Sequence, residues 1–187
     1  MLAPIRRIGL IGAESSGKTT LAQALATELN DRGITAAVVP EFLRTWCEIH
    51  ERTPLLSEQP DIVQGQIDAE DRAAAENPGA ILICDPATVM TELYSHLYFG
   101  QKIDFDPELA QRYAQFVWCD IDIEWVPDPL RDGQQFRDRI HEAITLHSDQ
   151  LQVASGAGIQ LVGGSVGERI QRVLPSIIGR RGNPISS

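Results

Sequence analysis

Short apolar runs alternate with longer amphipathic stretches along this chain. Ile8 to Ile11 is an apolar run closed by Gly12, and it predicts a strand. Leu21, Leu25 and Leu29 recur every fourth position, the mark of one buried helix face, and Gly33 closes that stretch. Ala36 to Val39 predicts a second strand. Two helical stretches follow on either side of a loop near Pro54, the second running from about Asp61 to a stop at Asn77-Pro78-Gly79. Ala80 to Cys84 has no polar alternation, so it predicts a strand buried on both faces. Thr88 to Tyr98 and Pro107 to Gln115 read as helices, and Phe116 to Cys119 as a fourth strand. Gln134 to about His147 reads as a helix, Ile159 to Val162 as a fifth strand and Val166 to Leu174 as a last helix. Strands that alternate with helices must pair in parallel, because each return to the same sheet edge needs a crossover. The expected fold is a three-layer α/β sandwich on a mostly parallel five-stranded sheet. Residues 1–178 read as one domain and 179–187 as a flexible tail.

Composition narrows the function. A chain of 187 residues can bury a core without disulfide staples, and 43% hydrophobic with 22% charged residues is an ordinary globular balance. The net charge of −10 repels nucleic acid backbones, so no nucleic acid partner is expected. A polyphosphate site here must be a local exception to the field. Cys47, Cys84 and Cys119 lack a Cys-x-x-Cys spacing and read as reduced thiols. No apolar run approaches a membrane span and the first residues do not form a signal peptide, so a cytoplasmic protein with no membrane partner is expected. His50, His96, His141 and His147 show no metal-ligand spacing.

Residues 12 to 19 decide the class. Gly12-Ala13-Glu14-Ser15-Ser16-Gly17-Lys18-Thr19 fits Gly-x-x-x-x-Gly-Lys-[Ser/Thr], the P-loop pattern, between a predicted strand and a predicted helix. Such a loop wraps a phosphate with backbone N–H groups, so the turn needs glycine where a side chain would intrude. The helix that follows adds its unpaired N–H groups and positive dipole end. Gly12 to Thr20 are therefore the candidate ATP-binding residues. Lys18 is placed to reach the β- and γ-phosphates, and the Thr19 hydroxyl to coordinate Mg²⁺. ATP and Mg²⁺ are the cofactors expected.

Three further stretches carry candidate chemistry. Asp85 ends the apolar strand expected beside the P-loop strand, with Glu41 ending the next strand outward; at that ligand edge of the sheet Asp85 can serve Mg²⁺, or, with Pro86 behind it, could instead cap a helix. Glu41 and Arg44 follow the second strand, where a carboxylate could take a proton from a substrate hydroxyl and an arginine could bind phosphate or substrate; a salt-bridged helix start is the plain alternative. From Trp125 to Arg139, Pro127-Asp128-Pro129 and Asp132-Gly133 mark a loop with Arg131, Arg137 and Arg139 in it. It reads as a short lid whose Arg131 closes over the γ-phosphate, or as a solvated connector. No Asn-Lys-x-Asp motif reads guanine, and Pro86 stands where a motor-type ATPase carries its water-polarising glutamate. A small-molecule kinase remains.

Gly12 to Thr20, Glu41-Phe42-Leu43-Arg44, Gly65-Gln66, Ile83-Cys84-Asp85 and Glu124 to Asp132 together resemble the ribosylnicotinamide kinase domain of the NadR family. The resemblance runs from about Ile8 to Leu174. It implies a P-loop NTPase fold of the nucleoside- and nucleotide-kinase kind, and ATP-dependent phosphorylation of the 5′-hydroxyl of nicotinamide riboside or a related nucleoside. Lys18, Glu41, Asp85 and Arg131 are then the catalytic candidates; Glu41, Arg44, Gln66 and Trp125 are the substrate-binding ones. The sequence departs from the family pattern at Ala87, where a second aspartate is usual, and at Pro129. With the P-loop starting at residue 12, the family's other domains are not expected ahead of it. A nucleotide-binding regulatory module with little or no transfer is the alternative on the same scaffold.

Overall fold

The computed structural model describes residues 6–125 and 134–179. Five strands form one sheet: β1 (Arg6–Ile11), β2 (Ala36–Val39), β3 (Ile81–Cys84), β4 (Gln115–Cys119) and β5 (Gly158–Val162), in the order β2-β3-β1-β4-β5 with every pairing parallel. The helices are α1 (Lys18–Asp31), α2 (Phe42–His50), α3 (Gln59–Glu76), α4 (Thr88–Tyr98), α5 (Pro107–Ala110), α6 (Gln134–Ser155) and α7 (Val166–Gly179).

The pleat sorts the strand residues to two cores. Ile8, Leu10, Ile81, Ile83, Val117 and Cys119 face α1 and α7. Ile11, Leu82, Cys84, Phe116 and Trp118 face α3, α4 and α6. All four residues of β3 and all five of β4 are buried, which is why their runs show no polar alternation. Gly9 is required by packing: a Cβ there would lie 2.8 Å from Ala87 Cβ and 2.9 Å from Phe116 Cδ1.

A polar network lies between α3, α4 and the strands. Glu70 is fully buried on α3. It accepts hydrogen bonds from Thr88 Oγ1 at 2.9 Å and from the Tyr113 hydroxyl, which itself accepts the Thr88 backbone N–H at 2.6 Å. Its other oxygen pairs with Arg112 at 3.3 Å and Arg7 at 3.5 Å, and both arginines also hold Asp71. The network pins the first residue of α4, three positions after Asp85.

Three expectations about element length need correction. The helix expected over 107–115 is a single turn ending at Ala110, and Gln115 already belongs to β4. Gln115 is almost completely buried, with its amide bonded to Gln160 and Ser176, so one polar residue joins an apolar strand. The helix α6 continues eight residues past His147, because Leu151 still reaches the core. The last helix passes Pro175 and ends at Gly179; Ile177, fully buried beyond the proline, holds the extra turn against α1. Residues 180–187 of the expected tail lie outside the described residues.

Candidate nucleotide and acceptor site

The loop from Gly12 to Gly17 joins the C-terminal end of β1, the central strand, to the first turn of α1. Three of its residues take backbone angles in the left-handed half of the map: Gly12 at φ 145°, Ser15 at φ 51° and Gly17 at φ 81°. At Gly12 a Cβ would stand 2.8 Å from the Cys119 carbonyl oxygen and 2.9 Å from Ser16 Oγ, so the turn closes only with glycine. Ser16 Oγ is buried in the loop without a hydrogen-bond partner in the protein. Lys18 Nζ folds back over the loop, donating to Gly12 O at 2.9 Å and Ala13 O at 2.6 Å. Thr19 and Thr20 are exposed on the first turn of α1, and Glu14 is buried.

Burial lowers the Lys18 pKa, and the carboxylates of Asp85, Glu41 and Glu14 oppose that shift, Asp85 most strongly. The loop that carries Glu14 and Lys18, and the residues Asp85 and Glu41, all follow C-terminal strand ends at one edge of the sheet. The topology sets their order along that edge: β3 pairs with β1, and β2 pairs with β3 on its far side. Asp85 therefore ends the strand beside the P-loop strand, and Glu41 stands at the end of the next one outward. The Asp85 backbone N–H donates to Val39 O and the Ala87 N–H to Leu10 O, both at 2.9 Å, so the turn after β3 is tied to both neighbours. Asp85 does not cap a helix: α4 begins at Thr88 with Ala87 as its N-cap, and the Asp85–Pro86 peptide is cis. Ala87, where the family pattern often has an aspartate, is fully buried against Gly9.

Glu41 is the N-cap residue of α2 but makes no side-chain capping bond, and it is partly exposed. Arg44 is exposed one turn on. Gln66, expected to touch substrate, is almost completely buried, and its amide is used on the chain flanking Glu41. Oε1 accepts from Phe42 N at 2.8 Å and Nε2 donates to Pro40 O at 3.4 Å. Its place is behind the Glu41 turn, setting that turn's direction. Gly65 beside it admits the Phe42 ring, whose Cε1 would lie 2.2 Å from a Cβ. An open groove of about 320 Å³ runs past Phe42, Gly65, Asp68 and Arg72; none of its walls comes from the P-loop or β3, so it is separate from the phosphate cradle. Trp125 is partly buried at the last described position before 126. Of the lid stretch expected from Trp125 to Arg139, residues 126–133 with Arg131 lie outside the described residues, and Arg137 and Arg139 belong to the start of α6 rather than to a loop.

Two site residues were missed by the sequence reading. Arg137 donates through Nη2 to Ser15 O at 3.3 Å, Ile121 O at 3.2 Å and Ile123 O at 2.7 Å. Arg169 donates to Ser16 O at 2.5 Å, Gly164 O at 3.0 Å and the Asp122 carboxylate at 2.5 Å. Both are almost completely buried. Arg137 stood in the expected lid stretch with no role of its own, and no motif marks Arg169.

The match to known families covers residues 7–169 and is to the family described as an AAA domain. The chain belongs to that family. No curated protein gives a significant match. Solved structures resemble this AAA-domain chain at low identity. A NadR protein in complex with NR superposes with a TM-score of 0.64 at 18% identity, over 97% of this chain and 52% of that one. The chain thus spans about half of that protein's length. Thymidylate kinase from Ehrlichia chaffeensis gives 0.62 at 16% identity over 92% and 98% of the two chains. Shikimate kinase from Acinetobacter baumannii in complex with shikimate gives 0.53 at 12% over 96% of each. The shared feature is the P-loop α/β fold. Among the described residues no helix is long and apolar enough to cross a membrane, no three His, Cys, Asp or Glu side chains group as metal ligands, and all three cysteines are buried and unbridged.

Proposed function

We propose that this chain is an ATP-dependent small-molecule kinase whose acceptor is a nucleoside hydroxyl, with the 5′-hydroxyl of nicotinamide riboside as the leading candidate. The observation that carries the reading is that Asp85 follows the strand beside the P-loop strand and Glu41 the strand beyond it, both at the end of the sheet where the P-loop opens. That spacing separates a carboxylate for the metal from a carboxylate for the acceptor. The NadR likeness in motif and fold supports the choice of nucleoside.

The cradle fits a Mg²⁺–triphosphate: a glycine turn that a Cβ would fill, a buried serine hydroxyl without a partner, an exposed Thr19 hydroxyl and a strand-end aspartate. Thr19 and Asp85 would hold the metal, which neutralises charge on the phosphates. The loop N–H groups bind the phosphates. Lys18 exchanges its two loop carbonyls for phosphate oxygens. Glu41 orients the acceptor hydroxyl and takes its proton as the new O–P bond forms and the bond from the γ-phosphorus to the bridging β-phosphate oxygen breaks, with ADP leaving; the transition state is loose, so position counts for more than basicity. In this reading Arg44 would steer the acceptor, and Arg131 would meet charge on the transferring γ-phosphoryl group.

The test is ATP consumption, with product identified by mass, across a nucleoside panel that includes nicotinamide riboside. Transfer to one nucleoside, lost in Lys18→Ala, is the expected result. ATP binding without transfer to any panel member would replace the kinase with a nucleotide-binding regulatory module, and no ATP binding would remove both.

A further inference from the structure

A P-loop binds anions by pointing successive peptide N–H groups inward, which turns the matching carbonyl oxygens away from the ligand. Those oxygens then need donors of their own. Here the carbonyls of Ser15 and Ser16 are met by two guanidinium groups, Arg137 at 3.3 Å and Arg169 at 2.5 Å. The arginines come from the first turns of α6 and α7, on opposite layers of the sandwich. Each is also tied to the chain after β4. Arg137 holds Ile121 O and Ile123 O, and Arg169 holds the Asp122 carboxylate. The Arg169 guanidinium lies directly behind Gly17, where a Cβ would meet its Nη1 at 3.3 Å.

The arrangement is not the one stability alone would select. Arg137 is 4% exposed, its Nη2 faces three carbonyls, and its Nε is buried with no partner among the described residues. Burying a cation with an unsatisfied N–H is costly unless something else is gained. The loop it grips has Ser15 in the left-handed region, an unfavourable place for a residue with a side chain. A flip of the Ser15–Ser16 or Ser16–Gly17 peptide would aim a carbonyl oxygen at the anion site. The two arginine bonds oppose those flips.

We propose that Arg137 and Arg169 are positioning residues of the phosphate site. They hold the P-loop in its anion-binding conformation before ligand arrives, and they place positive charge behind it in a protein of net charge −10. Neither need touch the nucleotide. The inference rests on the phosphate site of the proposed function, but not on transfer or on the identity of the acceptor. It makes affinity for the polyphosphate moiety depend on two side chains outside the motif, whatever nucleoside is attached.

Calorimetric titration of the full chain and of Arg137→Gln, Arg137→Lys and Arg169→Lys would test it, with Mg²⁺-ATP, inorganic tripolyphosphate and adenosine as probes. Each lost charge-assisted bond should weaken ATP and tripolyphosphate by the same factor, about tenfold to a hundredfold, and leave adenosine unchanged. Arg137→Lys, which keeps the charge but not the fork, should recover part of the loss. Hydrogen exchange at the amides of Ser15 to Gly17 should quicken in the free variants by a comparable factor. Variants that bind both polyphosphates like the parent, even with a lower melting temperature, would overturn the proposal, and so would weakening of ATP alone. A parent that binds tripolyphosphate but phosphorylates no nucleoside would sink the kinase reading and leave this one standing. A parent that binds neither polyphosphate would sink both.

Discussion

Glu70→Gln removes one charge from the centre of the network between α3, α4 and β1 while keeping the shape of the side chain. The parent carboxylate accepts from Thr88 Oγ1 and the Tyr113 hydroxyl, and balances Arg7 and Arg112. Burial first, then the Glu70 charge, pushes the Tyr113 pKa well above its ordinary value, so the phenol stays a donor. An amide nitrogen facing the two guanidinium groups sets donor against donor, and one facing the two hydroxyl groups reverses their bonds and leaves the guanidinium groups only an uncharged carbonyl oxygen. Breaking a buried pair from one side costs about 3–5 kcal/mol. The lower end applies, because Asp71 still holds both arginines at 2.6 and 2.7 Å and their side chains keep 17% and 19% of their exposure. A loss of about 3 kcal/mol corresponds to a fall of roughly 6–12 °C in melting temperature for a domain of this size. Thermal unfolding followed by circular dichroism at pH 7 measures it, with a urea midpoint to check that the slope is unchanged. Asp71→Asn is the control: its carboxylate is half exposed, so it should cost under about 1 kcal/mol. A Glu70→Gln melting point within about 1 °C of the parent, or an equal loss in Asp71→Asn, would refute the reasoning.

Other outcomes bear on the site and on pH. Glu41→Gln should leave ATP affinity intact and reduce transfer by roughly a hundredfold, while Asp85→Asn should raise the Mg²⁺ concentration needed for half-maximal rate; paired kinetic and metal titrations separate them, and equal effects on ATP binding would contradict the division of labour. Arg131→Ala should lower kcat sharply with a smaller change in KM for ATP; an unchanged kcat would make its loop a connector. Burial chiefly, with the charges of Asp106 and Asp104, raises the Glu92 pKa from 4.5 to about 7 against a backbone hydrogen bond from Asp106. The folded state therefore binds the extra proton, so this contribution is complete below the unfolded pKa and fades as pH rises through about 7. The full shift is worth about 3 kcal/mol, and about half that after solvent screening of a partly exposed group. Melting temperatures of parent and Glu92→Gln from pH 5 to 8 should show the variant gaining on the parent as pH rises; a constant difference would sink this account.

Local pattern carried the sequence reading as far as local physics reaches. A glycine turn between an apolar run and a helix can do little but cradle an anion, so Gly12 to Thr19 were legible without coordinates. The uninterrupted apolar runs of β3 and β4 announced strands buried on both faces, and a carboxylate directly after such a strand must stand at the sheet's edge. Where helices end was less legible. Leu151 and Ile177 extend α6 and α7 because the core reaches them, and Pro175 loses to that packing. The full strand order, β2-β3-β1-β4-β5, belongs to the tertiary structure, and it bears out the expected place of Asp85 beside the P-loop strand and of Glu41 one strand further out. The same holds for Gln66, which the family resemblance offers as a substrate ligand and whose amide meets the backbone of Pro40 and Phe42 on either side of Glu41. It holds most for Arg137 and Arg169, which reach their P-loop carbonyls across 122 and 153 residues of chain. Periodicity records which face of an element is buried. It does not record which distant carbonyl a buried side chain will meet, because that depends on how the layers stack once the sheet has closed around them.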